Sequence, residues 1–220
     1  MFAKVNDVEL YYEVKGSGRP LILLHGNGED HTIYDVAEPI LSEHFTCYFV
    51  DSRGHGESTK TDKLDYELMA DDIMCFIKEL KLEDVSLFGF SDGGIIGLIV
   101  ASKYPTILKN LVVGGANYNP SGIKKWVYNC LRFLNFFHSN AQFKLMLEHP
   151  NISDYELSLI KCRTLILAGT NDLVMEEHTK HLASQIENSE LKILKDESHT
   201  SYVVHSDKIA EILIEYLKDK

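Results

Sequence analysis

The chain reads as an α/β fold, a mostly parallel sheet of about eight strands with helices on both faces. Three observations lead there. Short apolar runs alternate with stretches of helical spacing through most of the 220 residues. The run 21–24 (Leu-Ile-Leu-Leu) is continuously apolar, as a strand covered on both faces requires. Several strand ends run into loops rich in Gly, Ser, Asp and His, where the carboxyl edge of such a sheet gathers its chemistry.

The elements follow in order. Runs 2–5 and 8–14 flank Asn6-Asp7 and predict a hairpin, an antiparallel edge on an otherwise parallel sheet. Strand 21–24 ends in His25-Gly26-Asn27-Gly28. A helix is expected over 33–43 and a strand over 45–50, ending in the loop 51–58. Over 66–80 the spacing of Leu68, Ile73, Phe76, Ile77 and Leu80 predicts a helix. Strand 85–90 is followed by a small-residue helix, 93–104, that Pro105 terminates. Strand 108–113 closes this block. From 117 to 161 there is no strand pattern, only helical stretches, with Trp126, Tyr128, Phe133, Phe136 and Phe137 crowded together. Strand 164–168, a helix near 176–186, strand 191–194 and helix 209–217 complete the chain. The expectation is a single domain over 1–220, with 117–161 inserted as a helical lid between two core strands.

A formal net charge of -11 argues against nucleic acid as a partner, because binding polyphosphate needs a basic patch. No apolar run is long enough for a membrane span, and the first ten residues lack the pattern of a signal peptide. Cys47, Cys75, Cys130 and Cys162 form no C-x-x-C pair and read as reduced, buried thiols of a cytoplasmic protein.

The central chemical signal is Gly89-Phe90-Ser91-Asp92-Gly93, a G-x-S-x-G pattern between a strand and a helix. Small residues on either side let strand and helix approach closely and project the Ser91 hydroxyl at the start of the helix, where the dipole favours developing negative charge. A serine needs a base. His199 follows the last strand; His205, its nearest competitor, lies further into the helix region. Asp172, directly after strand 164–168, is the candidate to orient the imidazole. His178 and His181 sit three apart on a helix, but no carboxylate or cysteine completes a metal site, so they read as a solvated face. His31, His44, His138 and His149 read as surface or lid residues. Two N–H donors must hold the oxyanion: the backbone of Asp92 and that of Asn27, with Gly28 in reserve. The lid aromatics Trp126, Phe133, Phe136 and Phe137 read first as packing of the lid against the core. Trp126, Phe133 and Phe137, with Gly28, are also candidates to line an acyl pocket.

Together, His25-Gly26, the loop Asp51-x-Arg53-Gly54-x-Gly56-x-Ser58, the Gly89–Gly93 elbow, Asp172 and His199 resemble the α/β-hydrolase superfamily over nearly the whole chain outside 117–161. The resemblance implies the order Ser91, Asp172, His199 for the triad, a mainly structural role for the loop carrying Arg53 and His55, and an esterase-like activity on a small-molecule acyl substrate, with no metal or organic cofactor. It also allows a thioesterase, a C–C bond hydrolase or a menaquinone-pathway-type lyase on the same triad, or a receptor with little turnover. Ser91 departs from the dehalogenase branch, which places a carboxylate there. The 117–161 insertion is shorter than the cap common in the family.

Overall fold

The computed structural model describes residues 1–138 and 140–218. Its centre is one sheet of eight strands in the order β1-β2-β4-β3-β5-β6-β7-β8. Strands β1 (Phe2–Val5) and β2 (Val8–Gly16) form the expected hairpin, with Asn6 in the left-handed region at φ 46°. β2 also pairs antiparallel with β4 (Phe45–Val50). From β4 onward the sheet is parallel, through β3 (Arg19–Leu24), β5 (Ser86–Phe90), β6 (Asn110–Gly114), β7 (Arg163–Asn171) and β8 (Ser189–Ser198).

Period-two alternation divides the core. Leu21 and Leu23 face Tyr34, Leu41, Tyr202 and Leu213, whereas Ile22 and Leu24 face Met69, Ile73, Phe76 and Ile96. All four β3 side chains are fully buried, each a contribution of about 1.5–3 kcal/mol from area removed from water. One layer therefore holds α1 (Glu38–Leu41) and α8 (Lys208–Leu217); the other holds α2 (Tyr66–Glu79), α3 (Asp92–Lys103) and α7 (Glu176–Gln185). Between β6 and β7 lie α4 (Lys125–Phe137), α5 (Ala141–Glu148) and α6 (Asp154–Ser158).

Two elements differ from the sequence reading. The helix expected over 33–43 is broken into a 3-10 turn, His31–Tyr34, and the short α1. Pro39 lacks an N–H and clashes with a preceding helical carbonyl, so it starts a new helix and does not continue one. β8 is much longer than 191–194, a length its edge position conceals in the sequence. Its exposed Glu190, Lys192 and Lys195 hide the apolar period. Of the cysteines, Cys47 and Cys162 are buried as expected, Cys75 is half-buried and Cys130 is exposed; all are free thiols.

The loop 51–58 is locked in place. Arg53, buried, donates twice to Asp72 of α2, at 2.6 and 2.8 Å, and once to Asp7 of the hairpin at 3.0 Å. Asp51 accepts from the backbone N–H groups of His31 and Glu57.

Candidate active site

At the end of β5 the chain turns into α3 through Ser91, whose φ of 52° and ψ of -113° lie where side chains rarely go. Such a residue costs about 1–3 kcal/mol and persists only when its surroundings over-determine it. They do so here. The Ser91 N–H donates to the Gly114 carbonyl at 2.7 Å, and Gly93 N–H donates to the His25 carbonyl at 3.1 Å. A Cβ at Gly89 would sit 2.1 Å from the Gly93 carbonyl oxygen, and one at Gly93 would sit 2.3 Å from that of Leu24. Only glycine permits the approach on either side of the serine.

The structure brings Ser91, His199 and Asp172 together. The Ser91 hydroxyl lies 3.1 Å from His199 Nε2, and His199 Nδ1 lies 2.7 Å from Asp172 Oδ1. The network sets the tautomer: the carboxylate takes Nδ1–H, leaving Nε2 to accept from the hydroxyl. β7 shifts register between Gly169 and Asn171, an irregularity that re-aims the chain just before Asp172. Asp172 is buried and also accepts from Val174 N–H at 3.1 Å and Gly169 N–H at 3.3 Å. Burial pushes its carboxyl upward, but the bond to His199, that ring's charge and the two backbone donors outweigh it and hold the pKa below the usual value. His205 instead pairs with Asp35 at the surface, at 2.7 Å.

Gly115, which the sequence reading passed over, makes room for the His199 ring. Its φ is +62°, and a Cβ there would meet His199 Cε1 and Nδ1 at 2.9 Å. The signal was present as Gly114-Gly115 at a strand end.

The turn after β3 adjoins the serine, with Gly26 beside Ser91 Cβ. His25 is buried and kept neutral: desolvation and the neighbouring His55 lower its pKa to about 4. Its Nδ1–H donates to the Gly26 carbonyl and its Nε2 accepts from Ser52 N–H. Glu29 accepts from Gly26 N–H at 2.9 Å. The N–H groups of Asn27 and Asp92 donate to no acceptor among the described residues, so both remain open to a ligand. The Asn27 side chain donates to Asp92 Oδ2 at 2.7 Å. Burial raises the pKa of that Asp92 carboxyl, against the pull of the Asn27 donor.

A cavity of about 60 Å³ opens at Ser91, Asp92, Gly115 and His199. Its outer wall comes from Ile123, Val127 and Leu131, from Met146 and His149, and from Leu173 and Val174; Tyr66 and Asn117 complete it. The pocket residues expected from sequence are not among them. Trp126, Phe133, Phe136 and Phe137 are 65%, 64%, 80% and 60% exposed and face away from both the cavity and the core. The reason is helical phase. α4 turns Val127 and Leu131, four residues apart, toward the cavity, and this rotates Trp126, Phe133 and Phe137 onto the opposite side. Gly28 is exposed and outside the wall as well. His178 is not solvated: it is buried, stacked on Tyr118 at 3.9 Å, and accepts from the Tyr118 N–H. Helix α5 is tied across the site by Gln142, whose amide lies 3.1 Å from His55 Nε2 and whose carbonyl accepts from Asn27 at 3.5 Å.

Comparison with known proteins agrees with this geometry. The family described as alpha/beta hydrolase fold matches residues 19–145. The chain belongs to that family. Among its relatives is the serine hydrolase BPHL of Mus musculus, 30% identical over 97% of this chain and 84% of that protein. The AB hydrolase superfamily protein YisY of Bacillus subtilis is 28% identical, over 95% of each chain. Among solved structures, an esterase from Exiguobacterium antarcticum superposes with a TM-score of 0.84 at 24% identity, covering 99% of each chain, a likeness of fold. This α/β hydrolase is an enzyme of the hydrolase class. Among its described residues no helix is long and apolar enough to cross a membrane.

Proposed function

We propose that this hydrolase cleaves small carboxylic esters through an acyl-enzyme, with Ser91 as nucleophile, His199 as general base and Asp172 as the carboxylate that orients it. The observation that carries the reading is the unbroken relay from the Ser91 hydroxyl through the imidazole to the Asp172 carboxylate, 3.1 and 2.7 Å long. In the first half-reaction Ser91 Oγ bonds to the ester carbonyl carbon while its proton passes to His199 Nε2. The carbonyl π pair moves onto oxygen, which accepts from the backbone N–H groups of Asn27 and Asp92. The pair returns, the C–O bond to the leaving group breaks, and the alcohol departs with the proton from Nε2. Water then gives a proton to Nε2 and bonds to the acyl carbon, the bond from that carbon to Ser91 Oγ breaks to release the acid, and Oγ takes the proton back from Nε2. Because the pKa of Asp172 is held low, the carboxylate stays ionised and offsets the imidazolium formed in each half.

The size and lining of the cavity support a short, largely apolar acyl group. The segment 117–161 acts as its lid, supplying Val127, Leu131 and Met146 to the wall. Asp92 adds a carboxyl to that wall one residue from the nucleophile, so an anionic acyl group is disfavoured there. Hydrolysis of p-nitrophenyl acetate by the wild type tests the reading, with Ser91→Ala as control. Loss of turnover in a variant that keeps its circular dichroism is the expected result; an undiminished rate rules the reading out.

A further inference from the structure

The outward face of α4 has no counterpart in the catalytic account. Trp126, Phe133 and Phe137 recur at i, i+7 and i+11 and form one exposed stripe, with Phe136 beside it. Phe133 and Phe136 each pack against Phe137, at 4.8 and 5.1 Å between ring centres, and none of the three is covered by the core. Lys125 and Arg132, also seven apart, flank this stripe on one side, and Arg132 borders the shallow depression formed by Phe133, Phe136 and Phe137. Neither cation has a carboxylate partner among the described residues. In a protein of net charge -11, residues 117–147 hold Lys124, Lys125, Arg132 and Lys144 and not one Asp or Glu. An aromatic stripe edged by unpaired cations, on a helix whose other face is already engaged, has the chemistry of a helix lying in an anionic lipid interface.

We infer that this face of α4 docks on an anionic lipid surface, with the aromatic rings in the acyl boundary and Lys125 and Arg132 at the headgroups. Charge decides against the competing occupant. A second copy meeting this face about a two-fold axis would bring two basic rims together, and residues 117–147 offer no carboxylate to pair them. Anionic headgroups instead satisfy both cations, while the acidic remainder of the protein is screened beyond about 10 Å at ordinary salt. The inference is independent of the catalytic assignment.

The chain provides its own reporter, because Trp126 is its single tryptophan. Vesicles of phosphatidylcholine alone and of phosphatidylcholine mixed with phosphatidylserine are titrated into the intact protein. The expected result is a blue shift of Trp126 emission and quenching by brominated acyl chains with the anionic vesicles only, both reversed by salt. The double variant Lys125→Glu/Arg132→Glu should lower partitioning at least about tenfold. Phe136→Ser/Phe137→Ser should lower it as well, with each variant's thermal unfolding recorded to establish that it is folded. Unchanged emission of the native chain with anionic vesicles overturns the inference, as does equal partitioning into neutral ones. A blue shift that follows protein concentration without lipid assigns the face to a second copy and overturns it too. The native-chain titration decides the matter even if a variant fails to fold.

Discussion

The nucleophile elbow and α4 are both short stretches beside the same cavity, and they are built on opposite terms. At the elbow the backbone dictates the residues: a left-handed serine, and glycines on either side of it that no Cβ can replace. In α4 the backbone is an ordinary helix, no residue is buried, and identity matters only through which side each residue faces. Where geometry constrains residue type, few substitutions are tolerated. Where only facing matters, many sequences serve.

The sharpest tests of that contrast lie at the elbow and at the residues that converge on its serine. Ser91→Ala and His199→Ala should each lower kcat for p-nitrophenyl acetate by on the order of 10⁴ or more. Asp172→Asn should cost about 10⁴ through the wrong imidazole tautomer, with the fold intact. Gly115→Ala displaces the His199 ring without touching any reacting group, and a loss of about 10²-fold is expected from misplacement alone. Normal activity in Gly115→Ala would break the claim that backbone shape holds the base.

Substitutions in α4 should divide by face. Leu131→Trp fills the cavity and should raise KM for short esters strongly, whereas Phe136→Ser should have a smaller effect and shift unfolding by no more than about 0.5 kcal/mol. Asp92→Asn keeps an acceptor for Asn27 but removes the charge from the wall. It should narrow the preference for neutral over anionic acyl esters several-fold, measured as a ratio of kcat/KM values.

Stability should depend on pH. Burial holds His25 and His178 neutral with pKa values of about 4 in the folded state, below the ordinary histidine value of 6.5. Between those limits the unfolded chain binds more protons, so the stability these residues contribute is complete above about 6.5 and is lost as pH falls toward 4. Chemical denaturation across that window should give a declining midpoint, with a shallower decline in His178→Phe.

The same contrast explains what could be read without coordinates. The order of strands and helices was legible because continuous apolar runs and helical spacing survive in the letters. The juxtaposition of Ser91, Asp172 and His199 was legible because each follows a strand, and the strand ends share one edge. The phase of α4 was not. It carries two apolar faces, Val127 with Leu131 and Trp126 with Phe133 and Phe137, and nothing local says which one turns to the cavity. Size suggested the aromatics, whereas packing chose the aliphatic pair. His178 was missed because its partner, the Tyr118 backbone, is remote in sequence, and β8 because an edge strand can carry charges along its exposed face.

The central claim, a hydroxyl made nucleophilic by a distant imidazole and carboxylate, has one direct test. The native chain is treated with a fluorophosphonate, digested, and the adduct located by mass spectrometry, in parallel with folded His199→Ala. A single phosphonylated residue at Ser91 in the native chain, with labelling slowed by orders of magnitude in His199→Ala, is the predicted result. A folded native chain modified elsewhere or not at all, or equal labelling without His199, contradicts the account.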